Sequence, residues 1–281
     1  MKYGKFLLVF VLFSLCYTAR SQQIIVGTFN VRYDNRGDSA NPWVQRAPVV
    51  AALLRFHDFD VFGTQEALKS QLDDISNALP YYTRYGKGRD DGIDKGEHSA
   101  VFFKTDKFTL LDKGDFWLSA TPDVPSLGWD AKCCNRICSW VKLKDKKSGK
   151  ELFFFNAHFD HQGVEARRQS SKLILKKIKD IAGDKPVIFT GDLNGSQTTE
   201  WYLTLANSGS LRDSYRDVKY PYANNASFNA FGKSVGRTEI IDHIFVSSQL
   251  SASKWGILTD TYHGKYPSDH FPVLAIIEFK K

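Results

Sequence analysis

Six apolar runs of this sequence end on, or lead into, a carboxylate, an amide or a histidine. Asn30 closes QIIVGTFN, Glu66 follows VFGTQ, and His158 closes FFFNAH. Asp192 and Asn194 follow VIFTG, Asp242 and His243 interrupt EIIDHIFV, and Asp269 with His270 precedes FPVLAII. Each alone has an ordinary structural reading: a charge at a helix start for Glu66, a turn for Asn194-Gly195, a buried pair for Asp242-His243. Six of them, each behind its own strand, are hard to explain as solubility. Strand ends on a rigid sheet hold side chains to the tolerance that catalysis needs. Carboxylates, amides and histidines gathered this way could hold a cation, position a water and move a proton, the parts of a metal-assisted hydrolytic site.

The elements that must position them are short strands interleaved with a few helices. Strands are read at 23–30, 61–65, 99–103, 108–117, 137–143, 152–158, 186–190, 240–246 and 273–279. Helices are read at 44–56, 68–79 and 165–181, and another from Trp201 to Ala206. Strands 99–103 and 108–117 are read around a turn at Thr105-Asp106, and 137–143 with 152–158 as a hairpin. Residues 121–136 form an irregular loop rich in Pro, Gly, Trp and Cys. With no linker and no repeat, residues 22–281 are expected to be one domain, with two strand-rich halves whose sheets stack and carry helices outside.

Ahead of this domain, Lys2 and Lys5 precede an apolar run from Phe6 to Tyr17, and Ala19 and Ser21 suit a cleavage site. Residues 1–21 are therefore expected to be a signal peptide, and the protein secreted or periplasmic. The run is shorter than the ~20 residues of a membrane span, so no stable membrane insertion is expected. Without Lys2, Lys5 and Arg20, the 38 basic residues become 35 against 31 acidic ones, a net +4. That mild excess does not demand a polyanionic partner. A composition of 42% hydrophobic and 25% charged residues excludes a disordered chain. Cys133, Cys134 and Cys138 favour one local disulfide and one spare thiol over a zinc cage, because no histidine lies nearby to complete it; the pairing stays open.

The ordered runs TFNVR, QE, NAHFDH, GDLN, IDHIF and SDHFPV resemble the signature of the endonuclease/exonuclease/phosphatase superfamily, over nearly the whole chain from Asn30 on. The resemblance implies a four-layer α/β/β/α sandwich of two stacked mixed sheets with outer helices, and a divalent-metal-dependent phosphoesterase. Glu66 would be the anionic metal ligand, Asn30 a neutral oxygen beside it and Asp269 a further carboxylate. Such oxygen ligation suits one or two ions of Mg²⁺, Mn²⁺ or Ca²⁺. Asp192 and Asn194 would orient or deprotonate the attacking water. His270 would act as a base or hold a phosphate oxygen, with Asp242 as the carboxylate that fixes its tautomer. His158 would serve as acid or phosphate donor, and Glu97 resembles the family glutamate that pairs with it. Arg32 stands where apurinic endonucleases carry an acid, as in the deoxyribonuclease I branch, which argues against abasic-site repair and for a phosphate contact. Arg136 is a second candidate phosphate contact. Phe228 and Asn229 fall where the family often carries a substrate-facing aromatic loop. The leading expectation is a monomeric phosphodiesterase or nuclease; the alternative keeps the site and changes the substrate to a phospholipid headgroup or a phosphorylated sugar or glycan.

Overall fold

The computed structural model describes residues 23–234 and 236–280, so the expected signal segment lies outside the described residues. The elements run β1 (Gln23–Asn30), α1 (Trp43–His57), β2 (Val61–Gln65), α2 (Lys69–Ala78), β3 (Tyr82–Tyr85), β4 (Val101–Lys104) and β5 (Phe108–Trp117). They continue with β6 (Ile137–Asp145), β7 (Glu151–His158), α3 (Val164–Ala182), β8 (Val187–Asp192), α4 (Glu200–Ala206), β9 (Leu211–Asp213), β10 (Asp242–Ser247), β11 (Leu250–Ile257) and β12 (Val273–Phe279).

The strands form two six-stranded sheets, ordered β11-β12-β1-β2-β4-β3 and β5-β6-β7-β8-β10-β9. At the centre of each is one parallel pair, β1–β2 and β7–β8, joined across α1 and α3; its neighbours are antiparallel. The residues explain this placement. β2 (VFGTQ) and β8 (VIFTGD) are buried along their whole length, as strands covered on both faces must be. β12 alternates buried and half-buried residues, the pattern of a strand with one face in the core. α3 buries Ala166, Ser170, Ile174 and Ile178 at helical spacing.

Three apolar layers result. Ile24, Val26, Val61, Leu152, Ile188, Ile244 and Val273 pack between the sheets. Phe155, Phe189 and Phe245 pack with Ile174 and Ile178 of α3, and Phe29, Phe62 and Phe102 with Val50, Leu54 and Leu72 of α1 and α2. This is the α/β/β/α sandwich.

Two details differ from the sequence reading. The turn expected at Thr105-Asp106 is there, but it does not pair β4 with β5: they belong to different sheets, and residues 105–107 carry the chain across the sandwich. The sheets also do not divide the chain into halves, because β11 and β12 return to pair with β1. That return sets the segment before β12, with Asp269 and His270, beside the end of β1, where Ser268 Oγ donates to the Asn30 carbonyl at 2.7 Å.

A buried polar seam locks the sheets together just below this end. Gln65 Nε2 donates to Asn156 Oδ1 (2.7 Å) and Thr28 Oγ1 (2.9 Å). Asn156 Nδ2 donates to the carbonyls of Thr64 (2.8 Å) and Ala100 (3.0 Å), and Thr190 Oγ1 donates to Asn156 Oδ1. Gly63 makes the approach possible: a Cβ there would sit 2.3 Å from Asn156 Oδ1.

Candidate active site

The parallel strands end at the same edge of the sandwich. β1 delivers Asn30 there, β2 leads into Glu66, β7 ends on His158 and β8 on Asp192. The antiparallel strands contribute their beginnings: Asp242 opens β10, Asp269 and His270 precede β12, and Glu97 precedes β4. Register aligns them, with His158 opposite Asp192 across β7–β8 and Asp242 opposite Asp192 across β8–β10. All but Asn30 and Asp242, which are fully buried, line a cleft of about 940 Å³ together with three arginines (Arg32, Arg89, Arg136) and a third histidine, His161.

Within it, Asn30 Nδ2 donates to Glu66 Oε1 and Asp192 Oδ2, both at 3.1 Å. Its Oδ1, expected to face a metal, instead accepts the Arg32 backbone N–H; the amide spends its N–H groups bridging two carboxylates. Arg32 is gripped by Asp38 (2.7 Å) and reaches Glu66 and Asp269 at 3.6 and 3.7 Å. Burial opposes its charge, but Asp38, Asp269 and Glu66 together hold it more firmly protonated than usual. Arg32, Glu66 and Asn194 are all left-handed, at φ 54°, 65° and 46°. Each costs about 1–3 kcal/mol for a residue with a Cβ, and such strain gathers at functional sites.

His270 and His158 are both buried but differently served. His270 Nδ1 lies 2.9 Å from Asp242 Oδ2, and its Nε2 is 3.7 Å from Asp192. Burial disfavours its charge, yet Asp242, then Asp192 and Asp269, push it up to about 10, so the ring is an imidazolium at neutral pH. Burial first, then Arg136 and Arg89, hold His158 well below the usual range, so it is neutral. Asn194 Nδ2 donates to the Phe159 carbonyl and faces His158 Nε2 at 3.0 Å. That nitrogen therefore accepts, and the ring proton sits on Nδ1, which is 4.0 Å from Glu97. Glu97 is bonded instead to Arg89, at 2.6 Å. Burial raises Glu97 and Asp192 alike to about 7, with Asp242 adding to the effect on Asp192.

The other expected contacts divide. Arg136 and Phe228 line the cleft; Phe228 packs edge-on against His270, and Arg136 holds Asp160 and His161. Asn229 is not among the residues that line the cleft. It is buried, donating to the Ser268 carbonyl and, through its backbone, to Asp269, so it shapes the loop from beneath. Of the cysteines, Cys133 and Cys134 are joined to each other and Cys138 is a buried thiol.

Four residues were not singled out from the sequence: Asp38, Arg89, Gln71 and Arg46. Arg46 is 1% exposed, and its hydrogen bonds among the described residues go to backbone carbonyls. Its guanidinium donates to the carbonyls of Asn41, Val31, Arg32 and Pro267 at 2.7–3.0 Å. Gln71 Nε2 donates to the same Arg32 carbonyl. Together they clamp the strained turn after β1 to the segment carrying Asp269. The signal was present: Arg46 falls on the apolar stripe of α1 with Trp43, Val50 and Leu53, where a charge must find partners.

The residues suit a hard cation. Arg32 faces Glu66 and Asp269 only at 3.6 and 3.7 Å, beyond hydrogen bonding, and Asp192 has His158 and His270 at 3.5 and 3.7 Å. Asp242 Oδ1 is buried with no hydrogen-bond partner. Asp192, Asp242 and His270 also bring one polar atom each within 4.8 Å of one another, but the His270 imidazolium has no lone pair to give a metal, so Glu66, Asp192 and Asp269 are the groups free to hold one.

Two stacked mixed sheets with acids, histidines and arginines gathered at one edge define a hydrolase of phosphate esters. Residues 27–270 match the endonuclease/exonuclease/phosphatase family, and the chain belongs to it. It is similar to a family protein of Bacteroides thetaiotaomicron, at 47% identity over 93% of this chain and all of that one, with a TM-score of 0.90. It is similar also to a mannosyl-6-phosphatase of B. thetaiotaomicron VPI-5482, at 48% identity over 91% of this chain and all of that one, TM-score 0.88. The human Nocturnin catalytic domain, at 20% identity over 92% of this chain and 94% of that one, shares the fold, TM-score 0.72. No described helix is long and apolar enough to cross a membrane.

Proposed function

We propose that the protein is an exported, divalent-metal-dependent phosphatase acting on phosphorylated sugars. The convergence of three arginines and three histidines on one bounded cleft carries this reading. A phosphomonoester bears about −1.5 to −2 charges near neutrality, which a compact ring of donors recognises. A polynucleotide would call for a basic track leading away from the centre, and the net charge of +4 without residues 1–21 offers little for one. The 48% identity to a mannosyl-6-phosphatase supports the same choice, so the sugar phosphate is preferred here over the nuclease expected first.

Glu66 and Asp269, with Asn30 once its amide turns over, would hold the cation, which would polarise the phosphoryl oxygen and neutralise developing charge. The chain's own groups do the rest. Asp192 sits between Asn30 and His270 at the floor and orients the attacking water. The His270 imidazolium, fixed by Asp242, holds a phosphoryl oxygen. His158 at the end of β7 and Asn194 just after β8 face the same phosphate, and Arg32 and Arg136 close around it.

Purified protein should hydrolyse a hexose 6-phosphate with Mg²⁺ or Mn²⁺ at a higher kcat/KM than a bis-aryl phosphodiester, RNA or plasmid DNA. Faster cleavage of a polynucleotide would return the nuclease reading. Export predicts an N-terminus beginning at Gln22 on protein recovered outside the cytoplasm; full-length chain retained inside would contradict it.

A further inference from the structure

The cleft wall contains one feature that the catalytic reading leaves unused. Cys133 and Cys134, adjacent in the chain, are bonded to each other, and both line the cleft. Cys133 is exposed and Cys134 half-buried. The loop that carries them is anchored on both sides. Before the pair, Asp130 accepts the N–H groups of Ala166 (2.7 Å) and Glu165 (3.1 Å) at the start of α3, and the Ala131 N–H donates to Gly128. After it, Asn135 Nδ2 donates to the Arg89 carbonyl, and the Arg136 carbonyl accepts from Leu118. The first anchor ties the pair to the start of α3, and the second ties it to both arginines on this side of the cleft.

We infer that the Cys133–Cys134 ring is a specificity subsite, an apolar plate that receives the C–H face of the sugar ring esterified to the bound phosphate. This rests on the sugar-phosphatase reading and deepens it. Distance supports the assignment. Two residues of chain span at most about 7 Å between Cα atoms, so Cys134 and Arg136 belong to one short stretch of the same cleft wall. Chemistry supports it too. The other groups on this side, Arg89, Arg136 and His161, are charged or polar, whereas a disulfide presents polarisable sulfur with no hydrogen to donate, and it gains by dispersion against C–H groups. Closing the link between neighbours leaves the plate little freedom to lose when substrate binds.

The test compares hexose 6-phosphate with glycerol 3-phosphate, which has no ring, on the oxidised protein, the protein reduced by a phosphine, and Cys133→Ala/Cys134→Ala. The KM ratio, hexose over glycerol, should rise roughly tenfold on reduction and in the variant, the scale of one apolar contact in a pocket, with reoxidation restoring it. Equal changes for both substrates would mean that the link merely braces the loop, and an unchanged ratio would mean that the sugar lies elsewhere; either overturns the inference. Oxidised protein that turns over neither compound but cuts RNA or DNA would instead remove the sugar-phosphatase reading itself.

Discussion

Asp60 and Asp192 are both buried aspartates at strand ends, on opposite edges of the sandwich, and their surroundings could hardly differ more. Asp60, before β2, is saturated: Oδ2 accepts the Ile25 N–H (2.8 Å) and Lys107 Nζ (2.5 Å), and Oδ1 accepts Lys104 Nζ (3.3 Å). Asp192 receives two neutral donors, from Asn30 and the Asn194 backbone, while His158 and His270 stand off at 3.5 and 3.7 Å. It also faces the like charge of Asp242, and is pushed up to about 7. A carboxylate whose needs are met is architecture. One left short of partners beside another acid is held ready for something that binds.

The comparison can be broken in several ways. Chelation should have the largest effect, abolishing turnover and leaving the edge around Asp60 folded; Mg²⁺ or Mn²⁺ should restore activity, and turnover persisting in chelator would show that the short-changed acids do not await a cation. Glu66→Ala or His270→Ala should lower kcat by about 10²–10³, the cost of one preorganised charge-stabilising group, with the melting temperature kept. The paired aspartates should then diverge. Asp192→Asn should lose activity at unchanged or greater stability, because it removes a poorly compensated buried charge. Asp60→Asn should keep kcat and lose about 2–3 kcal/mol in a denaturant titration, the value of charged hydrogen bonds given up. The reverse pattern would dissolve the distinction.

Arg46→Lys sharpens it from another side, since a lysine keeps the charge but cannot fork to four carbonyls. Displacing Arg32 and Asp269 should lower kcat by about ten- to a hundredfold, and guanidinium should partly rescue Arg46→Ala. The smallest effect concerns His98, buried against the Ala67 carbonyl. Burial lowers its pKa, so the fold holds it neutral. Its stabilising contribution is whole above about pH 6.5, the unfolded value, and is lost as pH falls through the lower folded value. The stability advantage of wild type over His98→Asn should therefore shrink between pH 7 and 5; an advantage that grew would reverse the sign.

Much of this was legible in the chain because it is written locally. β1, β2 and β12 match the runs that announce them, and the acids and histidines stand where those runs stop. What escaped depends on partners distant in sequence. β3, β9 and β11 are short or bulged, and they exist because β4, β10 and β12 offer edges to pair with. β4 and β5 flank the turn that the residues announce, but which sheet each one joins is set by partners far along the chain. Glu97 was found, but not Arg89, which takes its carboxylate; Asn229 was found, but its amide turns inward to Ser268.

The seam of Gln65, Asn156 and Thr190, closed over Gly63, bears on how such a protein can diverge. Sliding one sheet past the other would forfeit every bond of that lattice at once and drive Asn156 into the Gly63 backbone. The floor of the site is accordingly a rigid jig, keeping its acids and imidazoles in register whatever is laid on top. New substrates can then be accommodated by exchanging loops that line the cleft, among them residues 121–136 and residues 225–234 around Phe228. Grafting those two stretches between relatives should carry substrate preference with them while the reacting groups stay put.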